Sequence, residues 1–541
     1  MLPLGNKKLL LSLITTLSVL LLVIASSSLM PIYPDEVAYK IFLESYFVNN
    51  GIKQTVTPYC TQGFIYEPNF LLRPAAAFWT APHFIGTGWA SYRVLSLIAI
   101  LSLIALLVVH FLKRDNYLSI LMLISIGIGP GMFSMVILRP EVFIVSISIA
   151  IYFLLMKLSE KGTTLKHLLI SMSILYMYSL IAYLHPKAIY LAPCLIIGFF
   201  ITMKLEINTK VSRIKSGIAM MGMILCIIIA SQATVMHKEQ FLNCAEYPEI
   251  IENMKRQSIN LLSAIQNPQE VIKAIVLATK PEQLQRAIDQ TAFQPVPDIN
   301  YLPTLPNLAI LEYVSIYIKL TGLLIFLYCL VMTLKTMSHA IKEKQLDKLL
   351  KVFICFGLIA PYLLSLSHNW YDAGQFTVSV GVIASLYILD SKFTKLSVAL
   401  TFLATSSAIF SLVIMSIAYT PSLINGYSGP GLSIFIDRPA INESIKIKLV
   451  KYQIPNDAPI ISDDLTYEVT KNRSVALPIT YLGIGMMRPE IVMDILKSLN
   501  VEYGVASTYA VNSVMANQAA FQLLETWQVG DHSISLFSLK F

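Results

Sequence analysis

Long apolar stretches recur along most of this chain, and short polar segments separate them. The first runs from Leu9 to about Met30 and follows Lys7 and Lys8. Further stretches of roughly the 20 residues that a helix needs to cross a bilayer lie near 92–112, 117–137, 141–157, 167–184, 187–204, 217–236, 308–333, 352–367, 374–390 and 396–418. The pattern predicts an all-α polytopic membrane protein with about eleven transmembrane helices.

The first apolar stretch and the basic residues predict how the chain is oriented. The stretch is long for a signal-peptide core and has no clear cleavage pattern, although Ala25-Ser26-Ser27 leaves cleavage open. With a cytoplasmic amino terminus, the short outer turns contain only Arg139 and Lys187, whereas the predicted inner loops are rich in lysine and arginine. We therefore expect a multi-pass protein of the plasma (inner) membrane with its amino terminus in the cytoplasm.

Three long segments fall on the predicted outer side, at 31–91, 237–306 and 419–541. The middle segment has helical periodicity interrupted by prolines and predicts amphipathic helices over the membrane face. After Tyr419, strand-like stretches at 459–462, 501–505 and 533–537 alternate with helical stretches at 441–452 and 489–499. This predicts a transmembrane domain over 1–418 and a small extracytoplasmic α/β domain over 419–541.

Composition excludes several classes of protein. With 541 residues, 55% hydrophobic and 13% charged, the chain has too little polar surface for a soluble globule of this size. The net charge of +8 does not indicate nucleic acid as a partner, because the basic residues lie in short loops without stacking aromatics. Cys60 and Cys244 are the only cysteines in polar outer segments. They predict a disulfide, with two free thiols as the alternative.

The polar loop after the first apolar stretch contains the strongest candidate chemistry. It opens with Tyr33-Pro34-Asp35-Glu36-Val37-Ala38-Tyr39, so two adjacent carboxylates lie at the membrane surface. Arg73-Pro74-Ala75-Ala76-Ala77-Phe78-Trp79 and then Ser91-Tyr92-Arg93-Val94-Leu95 place two cations on the same predicted side. A carboxylate beside cations suits a reaction with a hydroxyl nucleophile and a phosphate leaving group.

The order of these motifs resembles the GT-C class of integral-membrane glycosyltransferases. The motifs are Pro-Asp-Glu-x-x-Tyr, a basic residue with Pro before an aromatic-rich run, and Arg-Val-Leu opening the next span. Within the class, the chain is most similar to the aminoarabinose transferase and protein O-mannosyltransferase branch, over about residues 8–205. Beyond that range the likeness is architectural.

The resemblance implies roles for the acidic residues. Asp35 would activate the acceptor hydroxyl, and Glu36 would be a supporting or metal-adjacent group; Tyr39 completes the motif as a substrate-binding residue. Glu141, in the outer turn Leu138-Arg139-Pro140-Glu141, is the second catalytic carboxylate, with a polar hairpin cap as the alternative. Charged groups at the mouth of a helix pair are costly to place and are functional candidates by default.

The basic residues are candidates for binding the donor phosphate. By the resemblance, Arg73 holds this phosphate, and Lys187 in the turn His185-Pro186-Lys187 adds a counter-charge. Arg139 and His185 are further substrate-binding candidates. Arg93 is either a phosphate ligand or an interfacial anchor whose charged end reaches water.

The remaining candidates concern the lipid carrier and a metal. The stretch His368-Asn369-Trp370-Tyr371-Asp372 lies where the resembled enzymes contact the lipid carrier, so His368 and Tyr371 are candidates. Leu72 stands where an acidic metal-binding residue precedes the basic one in the resembled branch, which puts a divalent metal in doubt; Glu67 and His83 are substitutes. No cofactor is firmly predicted.

The function predicted from this sequence is transfer of a sugar from a polyprenyl-phosphate donor to a lipid, glycan or protein acceptor. Transfer would occur on the extracytoplasmic face with inversion. An O-antigen polymerase or ligase is an alternative, against which the carboxyl-terminal domain and the acidic pair argue. A transporter or flippase is another, and it predicts paired broken helices with ionisable groups at mid-membrane.

Overall fold

Apolar helices form the main body of the computed structural model. The described residues are 16–23, 54–55, 64–65, 89–137, 139–158, 164–184, 186–198, 269, 292–293, 309–363, 370–390, 394–424, 438–463, 465–470, 493–494, 496–497, 500–514, 519–530 and 532–541. Among them, five helices are long and apolar enough to span a membrane, over Arg93–Leu112, Glu141–Leu158, Ile310–Glu343, Asp372–Leu389 and Lys395–Ile417. The chain is therefore a membrane protein.

The described helices overlap the predicted apolar stretches. In chain order they are α1 (Trp89–Leu112), α2 (Tyr117–Met122), α3 (Gly131–Val136), α4 (Pro140–Leu158), α5 (Thr164–Leu184), α6 (Ala309–Glu343), α7 (Leu346–Leu363), α8 (Trp370–Asp390) and α9 (Lys395–Ile424). Helices α6 and α9 continue beyond their predicted ends at 333 and 418. A 3-10 helix spans Pro186–Leu191. Of the first predicted span only 16–23 are described, and they are helical; the predicted span at 217–236 lies outside the described residues.

The predicted span at 117–137 is a broken helix rather than a continuous one. After α2 the chain forms a 3-10 helix over Leu123–Gly127, and α3 begins only at Gly131. Gly129 has a φ of 52°, a left-handed conformation that suits glycine, and Pro130 lacks the N–H that a continuing helix needs. The Gly129 N–H donates to Ser411 Oγ on α9 at 2.8 Å.

Helix α8 lies at the centre of the bundle. It packs against α3, the Leu123–Gly127 segment, α6 and α7, and its apolar window is almost wholly buried. Glycines permit this close packing, because a Cβ at Gly374 would lie 2.5 Å from Ser134 Cβ and one at Gly381 would lie 2.7 Å from Ile126 N. No other described span is so completely covered by protein.

Two described residues of the predicted outer segment 237–306 lie inside the bundle. Ala292 and Phe293 are buried. The Phe293 ring lies 5.6 Å from the ring of Phe376 on α8, and a Cβ at Gly322 on α6 would lie 2.3 Å from Phe293 Cδ1. At this point the segment enters the bundle rather than covering its face; apart from residue 269, the rest of it lies outside the described residues.

A second, smaller hydrophobic core lies under a four-stranded sheet near the carboxyl terminus. Helix α10 (Arg438–Lys451) precedes β3 (Ile460–Ser462), α11 (Tyr467–Thr470), β4 (Tyr503–Ser507), α12 (Thr508–Val514), β5 (Phe521–Val529) and β6 (His532–Leu539); β1 (Gln54–Thr55) and β2 (Phe64–Ile65) pair separately. The strand order is β3-β4-β6-β5, with β3 parallel to β4 and the other neighbours antiparallel. Ile441, Ile445 and Leu449 of α10 contribute to this core.

The sequence predicted three of these four strands and missed β5. The alternation of β5 is interrupted by a register shift between Leu523 and Glu525, which disguises the strand. Helix α9 continues to Ile424, so the predicted domain boundary at 418 falls inside a helix. Cys194, Cys329 and Cys355 are buried and are not disulfide-bonded. Cys60 and Cys244, and with them the predicted disulfide, lie outside the described residues.

Candidate functional site

A buried ion pair occupies the turn between α3 and α4. Arg139 Nε donates to Glu141 Oε2 at 3.1 Å, and Arg139 Nη2 donates to Glu141 Oε1 at 3.2 Å. Arg139 is 8% exposed and Glu141 is 1% exposed. This two-pronged geometry is the strongest way for an arginine to bind a carboxylate.

The local sequence explains how the turn forms. Pro140 is the first residue of α4, a position that tolerates proline because the first helical N–H groups have no partner within the helix. Glu141 follows in the first turn, where the helix dipole favours a negative charge. The Arg139 N–H donates to Ile137 O at 3.0 Å, which folds the chain back into the turn.

The pair changes the role expected of Glu141. Both carboxylate oxygens accept hydrogen bonds from Arg139, so in this arrangement Glu141 holds the guanidinium in place. A buried ion pair is seldom a net gain in stability, because removing two charges from water costs several kcal/mol per ion. Its presence in an apolar bundle therefore marks the turn as a functional candidate.

Arg93 lies at the same end of the bundle. Ser96 Oγ on α1 donates to Ile137 O at 2.6 Å, which ties α1 to the turn that contains Arg139. Arg93 is three residues before Ser96, hence on the same helix face. Arg93 is fully buried, so the interfacial anchor with a water-exposed charged end is wrong.

The sequence analysis missed two polar residues at the start of α8. It selected His368 and Tyr371 from that stretch, but Asp372 and Gln375 are buried. Gln375 Nε2 has no hydrogen-bond partner among the described residues. The close contact of Gly374 with Ser134 on α3 places this end of α8 near the Arg139 turn. The sequence feature that could have identified them is an acid and an amide three residues apart within an apolar span.

Several predicted site residues remain predictions. Lys187 lies in the 3-10 helix Pro186–Leu191 and Tyr371 in the first turn of α8, with only their backbones described. The other predicted residues lie outside the described part of the chain: Asp35, Glu36, Tyr39, Arg73, His185 and His368. The structure thus gathers Arg93, Arg139 and Glu141 at one end of the bundle.

The metal question also stays a prediction. Within the described residues, no group of three or more His, Cys, Asp or Glu side chains is arranged to hold a metal ion. Glu67 and His83, the two substitutes named from the sequence, lie outside those residues.

No protein-family model and no curated protein matches this sequence. Solved structures do match. ArnT from Cupriavidus metallidurans, bound to undecaprenyl phosphate, matches with a TM-score of 0.49 and 9% identity over 97% of each chain. The archaeal oligosaccharyltransferase AglB from Archaeoglobus fulgidus, in complex with an inhibitory peptide and a dolichol-phosphate, matches with a TM-score of 0.45 and 13% identity, over 91% of this chain and 69% of AglB.

Both neighbours are GT-C glycosyltransferases, the class whose motifs the sequence resembles. The chain is similar to GT-C glycosyltransferases in the order of its motifs and in the proteins that its structure matches.

Proposed function

We propose that this protein transfers a sugar from a polyprenyl-phosphate donor to a hydroxyl acceptor at the outer face of the membrane. The observation that supports this most directly is the buried Arg139–Glu141 pair, with buried Arg93 at the same end of the apolar bundle. A lipid-linked phosphate presents its anionic group at the membrane surface and its chain in the bilayer. Cations fixed at one end of an apolar bundle suit such a ligand.

The proposed reaction is a single displacement. Asp35 accepts the proton of the acceptor hydroxyl while the acceptor oxygen attacks the anomeric carbon. The bond between that carbon and the phosphate oxygen breaks, and the polyprenyl phosphate leaves with both bonding electrons. Attack from the side opposite the leaving group inverts the configuration. Arg73 and Lys187 bind the phosphate, and Glu141 orients Arg139 toward the same group.

A lipid, glycan or protein hydroxyl all fit this reaction. The membrane-anchored donor requires no nucleotide-binding domain, and the short cytoplasmic loops offer no room for one. Orientation follows from the lysine and arginine bias, which puts the Arg139 turn outside.

The transporter alternative loses support from the broken span at Gly129. A transport site at a broken helix lines a cavity with unpaired backbone groups. Here Ser411 Oγ accepts the Gly129 N–H, and a Cβ at Gly129 would lie 2.6 Å from Phe293 O. Protein atoms therefore fill the break.

A transfer assay tests the proposal. Purified protein in detergent receives a polyprenyl-phosphate sugar and membrane acceptor extract, and both transfer and donor affinity are measured. Asp35→Asn keeps the shape but cannot accept the proton, so transfer is expected to fall by the ~100- to 10,000-fold typical of losing a general base. Arg73→Ala is expected to weaken donor binding instead, because the phosphate loses a charged partner.

Glu36→Gln is the matched control, since it removes a neighbouring carboxylate of the same kind. If Asp35→Asn transfers sugar almost normally and Glu36→Gln does not, then Glu36 rather than Asp35 accepts the proton. If neither change affects transfer, the reaction proposed for this loop is wrong.

A further inference from the structure

Helix α6 is too long for the membrane it crosses. Its 35 residues (Ala309–Glu343) extend about 52 Å at the helical rise of 1.5 Å per residue, against about 30 Å for the hydrocarbon core of a bilayer. A tilt near the average of about 20° shortens its span only slightly. One or both ends of α6 must therefore lie at the level of the lipid headgroups or beyond.

An exposed apolar stripe runs along nearly the whole of α6. Its side chains recur every three or four residues and share one broad helix face, which is the face that meets lipid in a membrane bundle. They are Ile310, Tyr313, Ile316, Leu320, Leu324, Leu327, Val331, Leu334, Met337 and Ile341. The stripe continues into the last two turns, where Ile341 is still 61% exposed.

The carboxyl-terminal end of the stripe is basic. Lys335 and Lys342 are exposed and lie seven residues apart, so both border the stripe on the same side. Neither lysine forms an ion pair with another described residue. The nearby acid Glu343 instead accepts from His339 Nε2 at 3.1 Å and from Gln345 Nε2 at 2.8 Å.

The amino-terminal end of the stripe is not basic. Glu312 is the acidic residue in the first turn of α6, and it is exposed. Lysines cluster where α6 turns back into α7: Lys335 and Lys342 border the stripe, and Lys344 and Lys348 add further positive charge there. The one other lysine of α6, Lys319, is partly buried and lies in the first half of the helix. An apolar face flanked by lysines is the pattern of helices that lie at an anionic membrane surface.

We propose that residues 334–344 of α6, the basic end of α6, form a binding site for the headgroup of an anionic phospholipid. Lys335 and Lys342 bind the phosphate, while the acyl chains lie along Leu334, Met337 and Ile341 as a continuation of the lipid-facing stripe. The occupant is a lipid because the stripe is unbroken from the membrane-spanning part of the helix. The site is independent of the proposed transferase chemistry at the other end of the bundle.

Binding of phosphatidylglycerol to the full-length protein tests this site. The purified protein in neutral detergent is titrated with phosphatidylglycerol or phosphatidylcholine, and bound lipid is counted by native mass spectrometry. Each lysine near an anionic headgroup contributes roughly a fivefold gain in affinity. Lys335→Gln/Lys342→Gln is therefore expected to bind phosphatidylglycerol about 25-fold more weakly, with phosphatidylcholine unaffected.

Lys113→Gln/Lys395→Gln is the matched control. It removes the same charge from two exposed lysines, one after α1 and one at the start of α9, which do not border the stripe. It is expected to bind phosphatidylglycerol like the wild type. If both double variants lose the same affinity for phosphatidylglycerol, the effect comes from net charge alone and the proposed site is wrong. No loss in either would overturn it too, as would a dimer that forms through this stripe and excludes lipid.

Discussion

At the scale of single residues, variants of the Arg139–Glu141 pair can distinguish a structural role of the pair from a functional one. Removing one partner leaves the other buried and uncompensated, so Glu141→Gln is expected to destabilise the protein by about 3–5 kcal/mol. Replacing both partners, as Arg139→Met/Glu141→Leu, removes the burial cost and is expected to restore most of that stability. Thermal unfolding in detergent measures both effects.

The same double variant then tests function. If the pair serves the donor phosphate, Arg139→Met/Glu141→Leu folds but loses sugar transfer. A stable double variant with normal transfer would show that the pair is only structural.

Gln375 offers a second residue-scale prediction. Its Nε2 is buried and has no partner among the described residues, and an unsatisfied buried donor costs about 1–3 kcal/mol. Gln375→Met keeps the length of the side chain and removes the donor, so the unfolding temperature is expected to rise. Thr377→Val is the control, because Thr377 Oγ1 already donates to Ala373 O at 2.8 Å. A lower unfolding temperature for Gln375→Met would contradict the view that this buried amide is unsatisfied and destabilising.

At the scale of elements, Phe293 locks a segment into the broken span. A methyl group at Gly322 would overlap the Phe293 ring, so Gly322→Ala is expected to cost about 1–3 kcal/mol through overpacking. Adding Phe293→Ala removes the overlap, and the double variant is expected to be more stable than the sum of the single changes. If the loss of stability in the double variant equals the sum of the two single losses, Phe293 does not contact Gly322.

The contact between α10 and β5 predicts a pH dependence. Glu525 on β5 accepts hydrogen bonds from Lys448 and Lys451 of α10, which lower its pKa to about 2. A lowered carboxyl pKa stabilises the fold above the ordinary glutamate pKa, and this gain is lost as the pH falls toward 2. Hydrogen exchange of β5 is expected to be faster in Glu525→Gln than in the wild type at neutral pH.

The difference between the two proteins should shrink as the pH falls below about 4. Glu502→Gln, which changes an exposed carboxylate outside this contact, is the control. A difference that stays constant across the pH range would refute the ion-pair explanation.

At the scale of the whole molecule, hydrophobic patterning predicted the long helices because each contains a long apolar stretch. It did not predict where they end, since α6 continues to Glu343 and α9 to Ile424. It missed the break at Gly129-Pro130-Gly131, which depends on a left-handed residue and on Ser411, 282 positions away. It named Arg93, Arg139 and Glu141 because charges in apolar surroundings stand out. It did not name Gln375, whose burial depends on helices that surround α8 from distant parts of the chain.

The predicted topology is a further property of the whole molecule. The charge bias predicts that the part after Tyr419 lies outside, so protease added to sealed, right-side-out cells is expected to trim it. Protection until the membrane is opened would mean that the span count is wrong by one, and the predicted sides of the site residues would have to be assigned again.

The enclosed position of α8 has a consequence for biosynthesis. Its membrane-spanning window is the least apolar of the five, and it contains Asp372 and Gln375. If such a segment left the translocon alone and entered lipid, the acidic side chain would make the free energy of insertion unfavourable. The helices that enclose it, α3, α4, α6 and α7, all precede it in the chain. They are synthesised first, so when α8 is inserted it can pack directly against helices that are already in the membrane.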